Sequence, residues 1–432
     1  MGAWTASFLV VATMIGTGIF TTTGFLVRDV GSYPAVLLAW VIGGVTAVFG
    51  ALGYAELVAA FPHNGGEYRL LTRVFGRPIG FMSAWASLVV GFAAPMAASA
   101  VAFEAYAFAA VGYDFLPPHS LAIGLVLVLS VLYGWSTTAA ERFQNAFTIG
   151  KIALIVALIG AGFVFGRPST VFSGGFAAEG GAAPGLGSAL LSSKFAVGLI
   201  FVSYAYSGWN SAAYIAGEVK DPTKTLPRAL FFGTGLVMLL YVGLTAAFLG
   251  ATDGASLAGA GARVGHVAAV ALFGEWAARA LSAIIAVGLI SAVGALVAAG
   301  PLIYASAGED YPVLRHFSAR PGGGGPVLSI ALQSALALVM ILTAQFDAIL
   351  TYSGITLSVV AALTVSGVFV LRHREPDLER PYKTWGHPWS TLTFLALTAW
   401  MVIYAVVDVP MSALVGAATL VVGLLLYVFV RR

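Results

Sequence analysis

Two stretches of this chain place small and polar residues where a long apolar helix should run. The first is Met14-Ile15-Gly16-Thr17-Gly18, midway along an apolar run at 4–28. The second is Tyr204-Ala205-Tyr206-Ser207-Gly208-Trp209-Asn210, near the middle of a run at 189–216. Glycine costs about 1 kcal/mol relative to alanine inside a helix, and a helix broken in lipid strands polar backbone groups. For the first stretch alone, a small-residue packing face explains the glycines equally well. The second tips the balance, because two runs five apart in order are interrupted at similar depth. A half-helix restarting after Gly16 presents unpaired N–H groups and roughly half a positive charge, which suits a carboxylate. The half-helix ending there exposes carbonyls, which suit an ammonium. Such donors and acceptors side by side match the two backbone groups of one amino acid. Thr17 adds a hydroxyl donor, and Gly16 and Gly18 let a ligand approach the backbone closely.

The elements that hold these stretches follow from composition. Of 432 residues, 59% are hydrophobic and 9% charged, with a mean hydropathy of +0.94. A soluble domain carries roughly 25% charged residues. The expected fold class is therefore an all-α polytopic membrane protein, a single transmembrane domain over 1–432. Runs long enough to cross a bilayer number twelve, at 4–28, 34–61, 78–111, 119–137, 145–166, 189–216, 228–250, 264–307, 326–344, 346–371, 388–407 and 410–430. In the eighth, a short helix around 264–275 is expected before a span near 277–307. Of the 21 Lys and Arg, fifteen fall in loops on one side and five on the other, and Lys151 lies inside the fifth run. That bias predicts an even number of spans with both termini cytoplasmic. The net charge of +3 reads as a topology signal and not as a nucleic-acid footprint.

Several classes find no support. No Walker-type loop, metal-spaced His/Cys/Asp cluster or G-x-S-x-G elbow occurs, so neither a cofactor, a metal nor an enzyme activity is expected. A channel would need a continuous polar lining, whereas the polar groups concentrate at the two breaks. With no cysteine, a disulfide-linked partner subunit is excluded. The first span lacks a cleavage site, so no removed signal peptide is expected, and the short tails favour a cell membrane (inner or plasma) location.

Breaks at matching depth, five spans apart, point to inverted repeats with discontinuous helices. Spans one to five (4–166) would form one repeat and six to ten (189–371) the other, followed by two additional helices (388–430). The chain also resembles the amino acid–polyamine–organocation family, nearest its L-type amino acid transporter branch. The resemblance is carried by "GTGIF" in the first run, "YAELVAAFPHNGGEYRLLTRVFG" ending the second, "YSGWN" and "GEVKDPTKTLPRAL" in and after the sixth, and "RPYKTWGHP" after the tenth. It implies a LeuT-type 5+5 fold. It also implies that Met14, Ile15, Gly16, Thr17 and Gly18 hold the substrate from the first span, and Tyr204, Ala205 and Ser207 from the sixth. Tyr204 takes the position of an aromatic gate that is usually Phe, and Ser207 stands where Gly is common. Trp209 and Asn210 border the same pocket.

Lys151 is the one cation inside a span. Burying it costs several kcal/mol unless it is paired or neutral; snorkelling to the interface is the plain alternative. By resemblance, a lysine here replaces a coupling sodium ion. The function implied is sodium-independent secondary transport of neutral L-amino acids by an alternating-access exchanger. Two alternatives stay open: proton-coupled symport with Lys151 titrating, and a cationic or polyamine substrate. Against the latter, arginine-exchanging relatives carry an acid where Asn210 stands, and neither break contains one. Glu56 is expected to tie down the inner loop. Glu104, in the third run, is expected to be a capped or water-facing carboxylate near the outer surface.

Overall fold

The computed structural model describes residues 2–114, 116–135, 138–177, 183–318 and 326–431. Each of the twelve apolar runs is helical, as a chain that must satisfy its own backbone hydrogen bonds in lipid requires. Among the described residues there is no β-strand, only an isolated bridge between Ser32 and Gly175.

The first run is two helices, α1 (Ala3–Met14) and α2 (Gly18–Val30), bent by 45° at the break. The second is α3 (Tyr33–Ala60), followed by an amphipathic loop helix, α4 (Gly66–Phe75). The third comprises α5 (Arg77–Ala86), a π-helical stretch at Ser87–Ala93, and α6 (Ala94–Val111). That π segment had no signature in the sequence. Helices α7 (Ser120–Trp135) and α8 (Thr138–Phe165) are the fourth and fifth runs; short helices α9 (Thr170–Ser173) and α10 (Leu186–Leu190) follow. The sixth run is α11 (Ser193–Ala205), a turn over 206–210, and the single-turn α12 (Ser211–Tyr214). Beyond lie α13 (Pro222–Ala251), α14 (Gly254–Ala258), α15 (Val264–Phe273), α16 (Glu275–Asp310), α17 (Val327–Thr343), α18 (Phe346–Arg374), α19 (Trp389–Asp408) and α20 (Pro410–Val430). The split of the eighth run into α15 and α16 agrees with the expected short helix and span.

Seven of the described spans are long and apolar enough individually to cross a membrane, and the bent α1–α2 pair makes an eighth. Helices α7, α11 and α17 are apolar but shorter. Proline opens α3, α5, α13 and α20, where its missing N–H leaves no intrahelical bond unmade.

Packing places both breaks at the centre. Helix α1 lies on α13, α2 on α11, α13 on α3, and α6 on α16. Helix α11 also packs against α18 and α19, so the two broken helices are enclosed by unbroken ones. The ends away from α4 are plugged by aromatics. Phe25 stacks on Phe201 at 5.6 Å and tilts against Phe346 at 6.1 Å, and Arg28 lies over the Phe25 ring.

Candidate functional site

The two breaks touch backbone to backbone. A Cβ built on Gly18 would lie 2.4 Å from the Cα of Ala205, so only glycine permits this crossing. Gly208 returns the favour with φ +97°, and a Cβ there would lie 2.9 Å from the Thr13 carbonyl oxygen. Thr13 stitches the crossing from its side chain, its Oγ1 lying 3.1 Å from the Gly208 carbonyl and 2.8 Å from the Ser211 hydroxyl.

Around this crossing opens a cavity of about 1230 Å³. Met14, Ile15, Gly16, Thr17 and Gly18 line it from the first break, and Tyr204, Ala205, Ser207, Trp209 and Asn210 from the second. Its mouth lies among His63, Asn64, Arg73 and Glu218, all exposed, on the α4 face. The aromatic plug formed by Phe25, Phe201 and Phe346 is not part of its wall, so access is one-sided.

Each break leaves backbone groups for a ligand. Helix α2 begins at Gly18 with Thr17 as its cap residue, and the first N–H groups of a helix have no partner within it. A Cβ on Gly16 would meet nothing nearer than the Met14 carbonyl at 4.0 Å, so the backbone here is open. The Met14 carbonyl accepts from Gly16 N at 2.8 Å and from the Tyr241 hydroxyl at 2.5 Å. Thr17 shares a 2.7 Å hydrogen bond with Ser99 of α6. Tyr204 is buried at the end of α11, its hydroxyl beside Thr17. Trp209 packs edge-on against Tyr54 at 4.7 Å, with Phe394 beyond it at 6.5 Å.

Lys151 lies outside this cavity. Its side chain is 8% exposed, and its Nζ donates to the Ile15 carbonyl at 3.2 Å. It reaches the first break from behind, through a separate apolar cavity of about 420 Å³ between α8, α16 and the break. Snorkelling is thereby set aside: the ammonium points at the break. Among the described residues, no group of three or more His, Cys, Asp or Glu could hold a metal ion.

Glu56 and Glu104 are structural. Arg372 donates to both Glu56 oxygens at 2.9 and 2.6 Å, and Thr384 N adds a bond at 2.7 Å, tying the loop after α18 to the end of α3. Glu104 accepts from the backbone N–H groups of His119, Leu121 and Ala122, capping α7.

Three contributors were not foreseen. Tyr241 and Ser99 bond directly to the first break. Glu67, in the loop motif "GGEY", accepts from Asn210, Tyr54 and Tyr214, so folding brings to the second break the acid that its own sequence lacks. Only the buried position of "GGEY" could have flagged it, and composition does not report burial of a loop.

A family model described as amino acid permease matches residues 1–430. The chain belongs to this family. It is a multi-pass membrane protein of the amino acid–polyamine–organocation group. Similar proteins include the large neutral amino acids transporter small subunit 2 of Mus musculus, 28% identical over 99% of this chain and 80% of its own length. The Asc-type amino acid transporter 1 of Mus musculus is 27% identical over 98% of this chain and 79% of its own length. The serine/threonine exchanger SteT of Bacillus subtilis (strain 168) is 26% identical over 92% of the permease and 88% of its own length.

Proposed function

We propose that this permease is a sodium-independent secondary transporter of neutral L-amino acids, exchanging them by alternating access. The observation that carries the reading is the crossing of the two breaks at the head of a one-sided cavity. Helix N–H groups at Thr17 and Gly18 would hold the substrate carboxylate, and the carbonyls ending α1 and α11 its ammonium. Tyr204 would close over the side chain, with Ser207, Trp209 and Asn210 shaping the pocket. Twelve spans in a 5+5 inverted repeat plus two helices, with both termini and the α4 face cytoplasmic, complete the scheme.

Sodium independence is supported by Lys151, whose ammonium sits on the Ile15 carbonyl where a bound cation would otherwise satisfy it. A neutral substrate side chain is supported by the absence of an acid from both breaks; Glu67, beside the second, is engaged by Tyr54, Asn210 and Tyr214. The names of the similar transporters and of the serine/threonine exchanger point the same way. A stand-alone chain is in keeping with the absence of cysteine.

The test is uptake of labelled alanine, serine or leucine into liposomes holding the purified protein. Uptake that needs internal amino acid and ignores sodium supports exchange. A sodium requirement would sink the Lys151 argument. The buried ammonium of Lys151, with a single carbonyl partner among the described residues, favours proton-coupled symport as the second reading. That reading predicts uptake into empty liposomes driven by an imposed pH gradient.

A further inference from the structure

We infer that Glu67 is a positioning residue for transport: its carboxylate holds the α12 side of the second break to α4, and the population of the open cavity depends on it. The inference rests on the transporter reading above. Glu67 stands in the first turn of α4, is 4% exposed, and lines the cavity. Its Oε1 accepts from the Tyr54 hydroxyl at 3.0 Å and from the Asn210 amide, and its Oε2 from the Tyr214 hydroxyl. None of the ion pairs among the described residues involves it. A buried carboxylate balanced only by neutral donors needs all of them, since each is a charge-assisted bond in a medium that screens poorly.

The geometry of those donors gives Glu67 its role. Asn210 and Tyr214 bracket α12, so one carboxylate grips both ends of the single-turn helix that follows the break. Neighbouring backbone bonds reinforce the grip: Gly65 N donates to the Tyr214 carbonyl at 3.1 Å, and Gly217 N to the Asn64 side chain at 2.9 Å. Tyr54 also carries the Trp209 ring, so the same carboxylate sets the pocket wall. From α4 the connection runs on to two other elements. Arg69 pairs with Asp310 at 2.6 Å, and Arg73 grips Glu375 at 2.8 and 2.6 Å, holding the Glu375 carboxyl below the usual carboxylate range. Exposed pairs of that kind contribute little individually. Glu67 is the buried link between them and the break. Any closure of the mouth must carry α12 along with α4 or break the bonds to Glu67.

Because the chain has no cysteine, a single one introduced in the cavity wall reports opening directly. In Ser358→Cys, the rate of modification by a water-soluble thiol reagent measures access without requiring transport. Adding Glu67→Gln keeps the shape of the side chain but removes its charge, so the bonds from Tyr54 and Asn210 lose their charge assistance and the Tyr214 hydroxyl must turn to accept from the amide. Modification should slow about fivefold, as expected when the bonds that hold the open arrangement weaken. Exchange in liposomes should fall about tenfold in maximal rate with half-saturation little changed, and Tyr214→Phe should add almost nothing to Glu67→Gln. A modification rate within twofold of the Ser358→Cys parent overturns the inference. So does a transport loss explained wholly by half-saturation, which would make Glu67 a substrate contact, or one matched by loss of folded protein. If the wild type fails to transport, the transporter reading falls, while the modification rates still decide the role of Glu67.

Discussion

The ammonium of Lys151 sits 3.2 Å from the carbonyl oxygen of Ile15, on the side of the first break opposite the large cavity. One residue thus presents two environments: its backbone carbonyl faces a fixed cation, while the chain around it lines the pocket. Replacing Lys151 by Met keeps the aliphatic bulk and removes the donor. The stranded carbonyl costs about 1–3 kcal/mol, so exchange in liposomes should fall roughly 5- to 150-fold. Wild-type rates should be equal in sodium and choline buffers. A Lys151→Met protein with normal exchange would remove the cation from the mechanism.

Two glycines two positions apart should respond in opposite ways. Gly18→Ala drives a methyl to 2.4 Å from Ala205 Cα, forcing the breaks apart; overpacking of this kind costs about 1–3 kcal/mol and should lower the melting temperature in detergent. Gly16→Ala meets no such obstacle, so stability should hold while substrate affinity drops, because the methyl enters the space a ligand carboxylate needs. Thermal unfolding together with a binding titration separates the pair. Equal melting temperatures for both variants would contradict the backbone contact.

Tyr204 is buried beside Thr17 at the head of the cavity. If its bulk gates the substrate, Tyr204→Phe should transport within about threefold of wild type, and Tyr204→Ala should lose about tenfold or more in maximal rate, with a smaller change in binding. Unchanged uptake by Tyr204→Ala would reject the gate.

Glu56 and Arg372 make a bidentate pair in which the acid is almost fully enclosed, at 3% side-chain exposure. Arg372→Ala leaves that carboxylate with Thr384 N and the more distant Arg380, at 3.6 Å. Breaking a buried pair from one side costs about 3–5 kcal/mol, and the remaining partners place this case at the low end. Chemical unfolding should show a clear loss for Arg372→Ala and a smaller one for the double variant with Glu56→Gln. A double variant less stable than both singles would show that the pair is not the source.

Glu104 caps α7 through three backbone N–H groups. Glu104→Gln should cost about 1 kcal/mol and leave the ranking of competing amino acids unchanged. A shift in competition toward or away from diamino acids, read in the same uptake assay, would instead assign Glu104 to substrate selection.

What the sequence determined by itself was local. Apolar runs about a membrane thickness long specify helices wherever they fall, since no other backbone state satisfies itself in lipid. Gly16-Thr17-Gly18 and Ser207-Gly208 interrupt two of those runs in plain view, and a lysine inside the fifth run announces its own need for a partner. The expected roles of Glu56 and Glu104 as ties and caps follow from the same reasoning about isolated charges. Contacts between distant elements were decided only by the tertiary structure. Asn210 and Glu67 are 143 positions apart and Met14 and Tyr241 are 227 apart. No periodicity links such residues, because their meeting depends on how α1, α4, α11 and α13 cross. The same holds for Gly18 and Ala205. Composition explains why the glycine is flexible, but only the crossing of two helices explains why nothing larger fits.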